Sequence, residues 1–316
     1  MKLAFLGTGA IARAHARHLR RHRDVELAFA SRDPARADAL AREFRATHFP
    51  SYDAAIAAPD VDIIAVVTPP DSHADLALAA LAAGKHVVLE KPAFARAADA
   101  ARVAGAAARA RRRVFVAENY HYKPLLARLR ALLADGAIGD VLFVHINALK
   151  HQSTPGWRSA HGALYEGGVH WIDFMTKLGD IRDLRGHAPS PRGPVERSML
   201  VTIDYASGAI GTLAYSWEVP ATARGLRLSK IYGRAGSITF ETNGLWVLSH
   251  GARTRLYIPG LRDLAGYRAM WADFVAAWRD DRDATMTLDH ARRDLELVEQ
   301  AYATAGLPPL PPNDPS

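Results

Sequence analysis

The sequence predicts an α/β protein of two domains: an N-terminal doubly wound parallel sheet, then a second domain on a mostly antiparallel sheet. Three observations carry this. Short apolar runs alternate with amphipathic helical runs through the first third of the chain, the pattern of right-handed β-α-β crossovers. A glycine turn, Gly7-Thr8-Gly9, joins the first strand to the first helix. Later the pattern changes to long β-rich runs with hairpin turns. At 316 residues, 49% of them apolar, the chain is long enough for two cores.

Taken in order, "KLAFLGTG" is a short apolar strand running into glycines and "AIARAHARHLRRH" an amphipathic helix. "VELAFAS" is the second strand. "PARADALAREF" is a helix with Pro34 at an early position, where its missing N–H costs nothing. "VDIIAVVTPP" is apolar throughout, as a strand buried on both faces requires. "HADLALAALAAG" is a helix closed by Gly84. "HVVLEKP" is a strand, "AADAARVAGAAARARR" a helix and "VFVAEN" a further strand. The boundary is expected between Tyr120 and Leu125, giving domains 1–122 and 123–305 and a proline-rich tail, 306–316, expected to be extended or disordered. In the second domain "VLFVHINAL", "RSMLVTIDYASGAIGTLAYSWE" and "LRLSKIYGRAGSITFETNGLWVLS" read as strands, with hairpins at "YASGAIG" and "GRAGSI". Two helices, "YRAMWADFVAAWRDD" and "LDHARRDLELVEQAYATAG", follow.

Composition narrows the function. The chain has no cysteine, which excludes disulfides, iron–sulfur clusters and cysteine-type zinc sites. No metal site is expected, and a reducing cytoplasm is the expected setting. No run of about 18 uncharged apolar residues occurs, so neither a transmembrane helix nor a membrane partner is expected. The start, "MKLAFLGTGAIARAHARH", has a short apolar run ending in glycines rather than a cleavage site, and reads as strand and turn rather than leader. The net charge of +7 comes from arginines spread along helices. Without a nucleic-acid motif beside them they read as solvated helix faces, and no nucleic-acid partner is expected.

Gly7-Thr8-Gly9-Ala10-Ile11-Ala12 fits G-x-G-x-x-G/A between a strand and a helix, the context that gives the pattern meaning. Gly7 allows the tight turn, Gly9 leaves room for a pyrophosphate, and the helix opening at Ala10 and Ile11 offers free N–H groups to phosphates. The expected ligand is a nicotinamide dinucleotide. The second strand ends "FASRD". An acidic residue there would bind the ribose 2′-hydroxyl of NAD, whereas Ser31 and Arg32 suit the 2′-phosphate of NADP. The alternative is that Arg32 is merely exposed and Asp33 caps the next helix. NADP is favoured, with NAD the second choice.

Strands of such sheets end at the cofactor crevice. Glu90-Lys91-Pro92 therefore stands where the nicotinamide should lie, and Lys91 can donate to a substrate oxygen; the alternative is a strand-end lysine in solvent. In "GALYEGGVHWID", Glu166 precedes His170 by four residues and Asp173 by seven. If the segment is helical the three share a face. A carboxylate beside a histidine orients the ring and favours imidazolium, as acid–base chemistry requires. The alternative is a satisfied, buried histidine near a helix start.

The order of Gly7–Ala12, "TPPDSH" (Thr68 to His73), "EKP" (Glu90 to Pro92) and "GG-x-H-x-x-D" (Gly167 to Asp173) resembles the Gfo/Idh/MocA oxidoreductases, which include glucose–fructose oxidoreductase and inositol dehydrogenase. The resemblance runs from Met1 to about Ala305 and takes in "WRS" and "GRAGSITFE". It implies a Rossmann domain and a second α/β domain with an open, mostly antiparallel sheet. That sheet forms a wall of the active site and often the oligomer interface, so a homodimer or homotetramer is expected. It further implies that Lys91 hydrogen-bonds the reacting oxygen and His170 exchanges the proton. Glu166 stands where the family usually has aspartate. Thr68, Pro69 and His73 match the loop beside the cofactor, and Glu90 the residue near the nicotinamide ribose. Trp157 and Arg158 match a pair that reaches the cofactor in some members. Asn119, within "ENYHYKP", matches the asparagine of a commoner N-x-R segment from which this chain departs. Pro92 is typically cis in the family.

The expected activity is NADP(H)-dependent hydride transfer to or from a hydroxyl or carbonyl carbon of a sugar, polyol or related small molecule. The alternative is a non-catalytic NADP-binding module of the same fold, which loss of Lys91 or His170 would favour; both are present.

Overall fold

Short strands of three to five residues, most of them apolar and followed by a helix, define the first unit of the computed structural model. Residues 1–153, 156–189, 195–220 and 226–308 are described, without the side chains of residues 157 and 158. β1 (Lys2–Leu6), β2 (Glu26–Ala30), β3 (Thr47–Phe49), β4 (Ile63–Val66), β5 (His86–Glu90) and β6 (Val114–Ala117) form one sheet in the order β3-β2-β1-β4-β5-β6. All its pairings are parallel. The order reverses between β1 and β4, so the carboxyl ends of these two strands open a crevice.

The intervening helices are α1 (Ala10–Leu19), α2 (Pro34–Phe44), α3 (Tyr52–Ala57), α4 (His73–Ala82) and α5 (Ala97–Ala110). Their ends follow the local chemistry. Asp33 caps α2 by accepting the Ala35 N–H at 3.0 Å, with Pro34 at the first helical position. Gly84 follows α4 at φ +72°, left-handed backbone that glycine adopts without strain.

This unit comprises residues 1–118 and 267–293. α8 (Tyr267–Arg279) thus differs from its expected assignment to the second domain. Its buried face, Met270, Trp271, Phe274 and Val275, explains why. Phe274 and Trp278 lie 5.1 and 5.2 Å from the Phe115 ring, and Trp271 meets His15 of α1 edge-on at 5.4 Å. Burying side chains of this size contributes roughly 1.5–3 kcal/mol each. Sequence distance says nothing of that partnership.

The second unit contains residues 119–266 and continues from 294. α6 (Pro124–Ala134) and α7 (Val169–Thr176) accompany β7 (Val141–Leu149), β8 (Ile181–His187), β9 (Ser198–Tyr205), β10 (Ile210–Ser216), β11 (Leu228–Gly233), β12 (Gly236–Glu241), β13 (Val247–His250) and β14 (Thr254–Tyr257). The sheet order is β14-β13-β12-β11-β7-β10-β9-β8, antiparallel except for the β7–β10 pair. Strand alternation turns Met199, Val201, Ile203, Leu213 and Tyr215 inward. On that face Gly211 meets Met175 of α7, and Gly186 meets Ala301 of α9 (Leu288–Thr304). The opposite face leaves Phe143, Leu200, Ile210, Leu228 and Leu248 exposed.

Candidate active site

The first unit builds a dinucleotide cradle. Gly7 has φ +113°, and its N–H donates to the Ala30 carbonyl at 2.9 Å. A Cβ there would lie 3.0 Å from the Val67 carbonyl oxygen and 3.2 Å from its carbon, so the close approach of β1's turn to β4 requires glycine. Gly9 precedes α1 without a side chain to cap it, and an added Cβ would meet no atom within 4 Å. The open backbone and the first-turn N–H groups from Ala10 and Ile11 onward fit a pyrophosphate.

At the end of β2, Ser31 is buried. Its Oγ accepts the Asp33 N–H at 3.2 Å and lies 3.4 Å from the Thr8 hydroxyl. Arg32 is exposed, and its backbone lies beside the Tyr52 side chain. Burial pushes the Tyr52 hydroxyl above its ordinary pKa, against the pull of the Arg32 and Arg36 charges. Two guanidinium groups, one just after β2 and one in the first turn of α2, therefore lie near the Tyr52 phenol at the start of α3. Capping by Asp33 and a phosphate role for Arg32 are compatible, since different residues supply them.

Thr68 and Pro69 form the turn after β4. Thr68 Oγ1 lies 2.7 Å from Ser72 Oγ, and Ser72 donates to the Pro69 carbonyl at 2.9 Å. His73 is fully buried, with Nε2 2.9 Å from the Thr68 carbonyl and Nδ1 3.2 Å from that of Ala93. Burial lowers its pKa, opposed by these carbonyls and by Glu90. Its ring braces the cofactor-side turn against the segment after β5. Glu90 ends β5, buried, with Oε1 3.1 Å from His15 Nε2. Lys91 follows, half-buried, and the Lys91–Pro92 peptide is cis, as the resemblance implies.

The second unit gathers the histidine cluster. Residues Leu164–Gly168 form a π turn, not an α-helical one, before α7. Glu166 therefore sits in a wider turn than His170 and Asp173, and simple α-helical phasing does not apply to it. Glu166 is buried, and the neighbouring Gly167 packs directly on the Tyr215 hydroxyl. That hydroxyl accepts the Trp217 indole N–H at 3.0 Å. Burial raises the Tyr215 pKa well above its ordinary value, and Glu166 adds to the effect. His170 stacks on Tyr120. Asp173 turns to other partners: its Oδ1 lies 3.4 Å from His121 Nδ1 and 3.3 Å from Lys177 Nζ.

Asn119 is buried, and its amide donates to the Ala265 carbonyl at 2.6 Å, which ties it to the backbone of its own unit. Trp157 and Arg158 belong to the short helix Gly156–Ala160, but their side chains lie outside the described residues. Three side chains in these surroundings escaped the sequence reading: His15, Tyr120 and Tyr215. His15 carried a usable signal, a lone ionisable residue on the apolar stripe of α1; Tyr120 stood in a segment with no periodic mark, and the alternation of β10 marks Tyr215 as buried without marking a role.

A parallel sheet with a glycine turn at its switch point defines a dinucleotide-binding fold. Comparison with known proteins agrees. Residues 1–118 match the oxidoreductase family with an NAD-binding Rossmann fold, and residues 126–239 match the GFO/IDH/MocA C-terminal domain. The chain is 33% identical over 230 residues to an inositol 2-dehydrogenase of Acidothermus cellulolyticus, covering 69% of this chain and 67% of the relative. In fold it is similar to the WlbA dehydrogenase of Bordetella pertussis, solved with NADH and UDP-GlcNAcA: TM-score 0.85, 20% identity, 98% of each chain. It is also similar to GenD2 of gentamicin A biosynthesis, solved with NAD: TM-score 0.83 and 26% identity, covering 97% of this chain and 94% of that one. The chain belongs to the Gfo/Idh/MocA oxidoreductase family, and is an NAD(P)-dependent dehydrogenase or reductase acting on CH–OH groups.

Proposed function

We propose that the protein is an NADP(H)-dependent oxidoreductase acting on a sugar, polyol or related small molecule, with NAD as the second cofactor. The observation that carries this is the strand-end pair Glu90-Lys91, at the same sheet edge as the Gly7–Gly9 turn. Ser31 and Arg32 at the end of β2, with Arg36 of α2 and Tyr52 of α3 nearby, support the reading of a 2′-phosphate site. The carbohydrate class is supported by relatives named for inositol and by a neighbour solved with a UDP-sugar. Relatives named as dehydrogenases favour catalysis over the binding-only alternative.

The nicotinamide supplies or accepts the hydride. In the chain, Lys91 donates a hydrogen bond to the reacting oxygen and favours its charged form. His170 takes the hydroxyl proton in oxidation and returns it in reduction. Glu166 stands as its carboxylate partner, and the Tyr120 stack orients the ring. The exposed apolar face of the second sheet supports assembly into a homodimer or homotetramer; beside it an apolar hollow of about 540 Å³ is lined by Leu245, Trp246, Leu248, Leu256, Ile258 and Leu261. Mass in solution tests that assembly.

The deciding experiment is a panel of aldoses, polyols and their oxidised forms, assayed with NADP and with NAD. Lys91→Ala should lower turnover by at least about a hundredfold while leaving NADPH affinity within a few-fold. Wild-type turnover in that variant removes Lys91 from the chemistry.

A further inference from the structure

His15 lies on the buried face of α1 with Ala12, Ala16 and Leu19, and is 1% exposed. An ionisable ring there replaces the aliphatic side chain that would complete an apolar stripe, and it must find partners. Both of its nitrogens have them. The Trp271 indole N–H, which can only donate, lies 3.1 Å from Nδ1. Nδ1 therefore accepts, and the neutral ring carries its proton on Nε2. Nε2 lies 3.1 Å from Glu90 Oε1, so the ring donates to that carboxylate. Aromatic neighbours hold its plane: Phe5 is stacked at 6.5 Å, and Tyr267 and Trp271 meet it edge-on at 5.4 Å. One obligate donor thus sets the direction of both hydrogen bonds.

We propose that His15 is a positioning residue for the cofactor: held in a single tautomer by Trp271, it fixes the Glu90 carboxylate at the end of β5 in the orientation that meets the nicotinamide ribose. This rests on the reading above, in which Glu90 stands beside that ribose. His15 itself touches neither cofactor nor substrate. It acts through Glu90, as the partner of a metal-bound or catalytic histidine acts through that histidine's ring.

The test compares variants of the full-length protein, titrated with NADPH and followed by nucleotide fluorescence. His15→Asn keeps an amide near the Nδ1 position but is too short to reach Glu90. His15→Gln carries a donor out to the reach of Nε2. His15→Phe keeps a ring and removes both nitrogens. The Asn and Phe variants should weaken NADPH binding about tenfold or more, the loss of one charge-assisted hydrogen bond, and Gln should stay within about threefold of wild type. In the unliganded wild type, nitrogen-15 spectra of the histidines should show His15 as the Nε2–H tautomer, and Trp271→Phe should relax it to a mixture. A His15→Asn variant that melts like wild type and binds NADPH as tightly overturns the proposal. So does an Nδ1–H tautomer in the wild-type spectrum, a result that does not depend on any variant folding. Glu90→Ala separates the two levels. If it binds NADPH normally, Glu90 is no cofactor neighbour and the underlying reading fails. If it binds weakly while every His15 variant binds well, only the role of His15 fails.

Discussion

The rings of His170 and Tyr120 lie face to face, with centroids 4.3 Å apart and planes 13° from parallel. Tyr120 is held in turn by the Trp171 edge at 5.1 Å and by Lys123 Nζ 4.3 Å from its ring centre. A stacked imidazole keeps its plane, so its nitrogens point in fixed directions. Tyr120→Phe should retain turnover within about threefold. Tyr120→Ala should lower kcat by about tenfold, in line with roughly 0.5–1.5 kcal/mol for an aromatic pair. Steady-state kinetics on whichever substrate the panel selects check both; an alanine variant with unchanged kcat makes the stack ornamental.

His170 and Glu166 give a prediction in pH. Alcohol oxidation needs a neutral base, so its rate should rise with pH as His170 loses its proton. A carboxylate nearby favours the protonated ring. Glu166→Gln removes that charge at constant length, and the acidic limb of the oxidation profile should move to lower pH. His170→Ala should remove the limb and cost on the order of 10²–10⁴-fold in rate. A limb that stays in place in the glutamine variant would show that Glu166 is not electrostatically coupled to the base.

Cofactor choice is tested at the end of β2. Arg32→Glu should weaken NADP about tenfold or more, because a guanidinium–phosphate hydrogen bond contributes about 1.5–3 kcal/mol. Ser31→Asp adds a carboxylate that repels the 2′-phosphate and can accept the 2′-hydroxyl of NAD. Titration of both nucleotides against wild type and variants reads the outcome, and a wild type that already prefers NAD refutes the assignment of Ser31 and Arg32.

Glu196 makes stability depend on pH. It is buried, its Oε1 accepts the Leu164 N–H at 2.6 Å, and a Cβ at Gly162 would collide with its carboxylate and with the Tyr302 hydroxyl. Burial raises its pKa from 4.5 to about 7, against the pull of the Leu164 N–H. The folded protein therefore holds this proton more tightly than the unfolded chain. The contribution to stability is fully present below pH 4.5, is lost as pH rises towards 7, and levels off above it. The loss amounts to roughly 3 kcal/mol. Glu196→Gln keeps the acceptor and cannot ionise. Urea unfolding should find it more stable than wild type by about 1–3 kcal/mol at pH 8 and little different at pH 4. Equal differences at the two pH values would mean that Glu196 is not titrating.

How much of this was legible in the sequence follows from where the signal is stored. The parallel sheet was readable because strands such as Ile63–Val66 are apolar at every position and alternate with amphipathic helices. The hairpins at Gly208 and at Arg234-Ala235 were readable from turn chemistry. β3 and α3 were not read, because a strand of three residues and a helix of six hold too little periodicity. β8, "IRDLRGH", is charged on one face and declares itself only through its pairing with β9. Within the site, the positions of Gly7, Glu90 and Lys91 were legible as motif. The partners of the histidines were not. That Asp173 turns to His121 and Lys177, and Asn119 to Ala265, depends on side-chain direction, which spacing alone does not encode.

The chain leaves its first unit at Glu118 and returns to it at Tyr267. The nucleotide-binding half is therefore not a cassette that could be cut at its last strand and grafted elsewhere. A fragment ending at Glu118 would carry the whole glycine turn and the lysine, yet it would bare Phe115 to water and leave the His15 ring without its indole donor. Gene fusion or truncation at the obvious boundary would separate the motif from the helix that finishes its interior. Such a fragment, expressed alone, should aggregate or bind NADPH poorly, and adding Tyr267–Arg279 in trans should recover part of the loss. In this protein the nucleotide-binding half is finished only after the chain has passed through the second fold and come back.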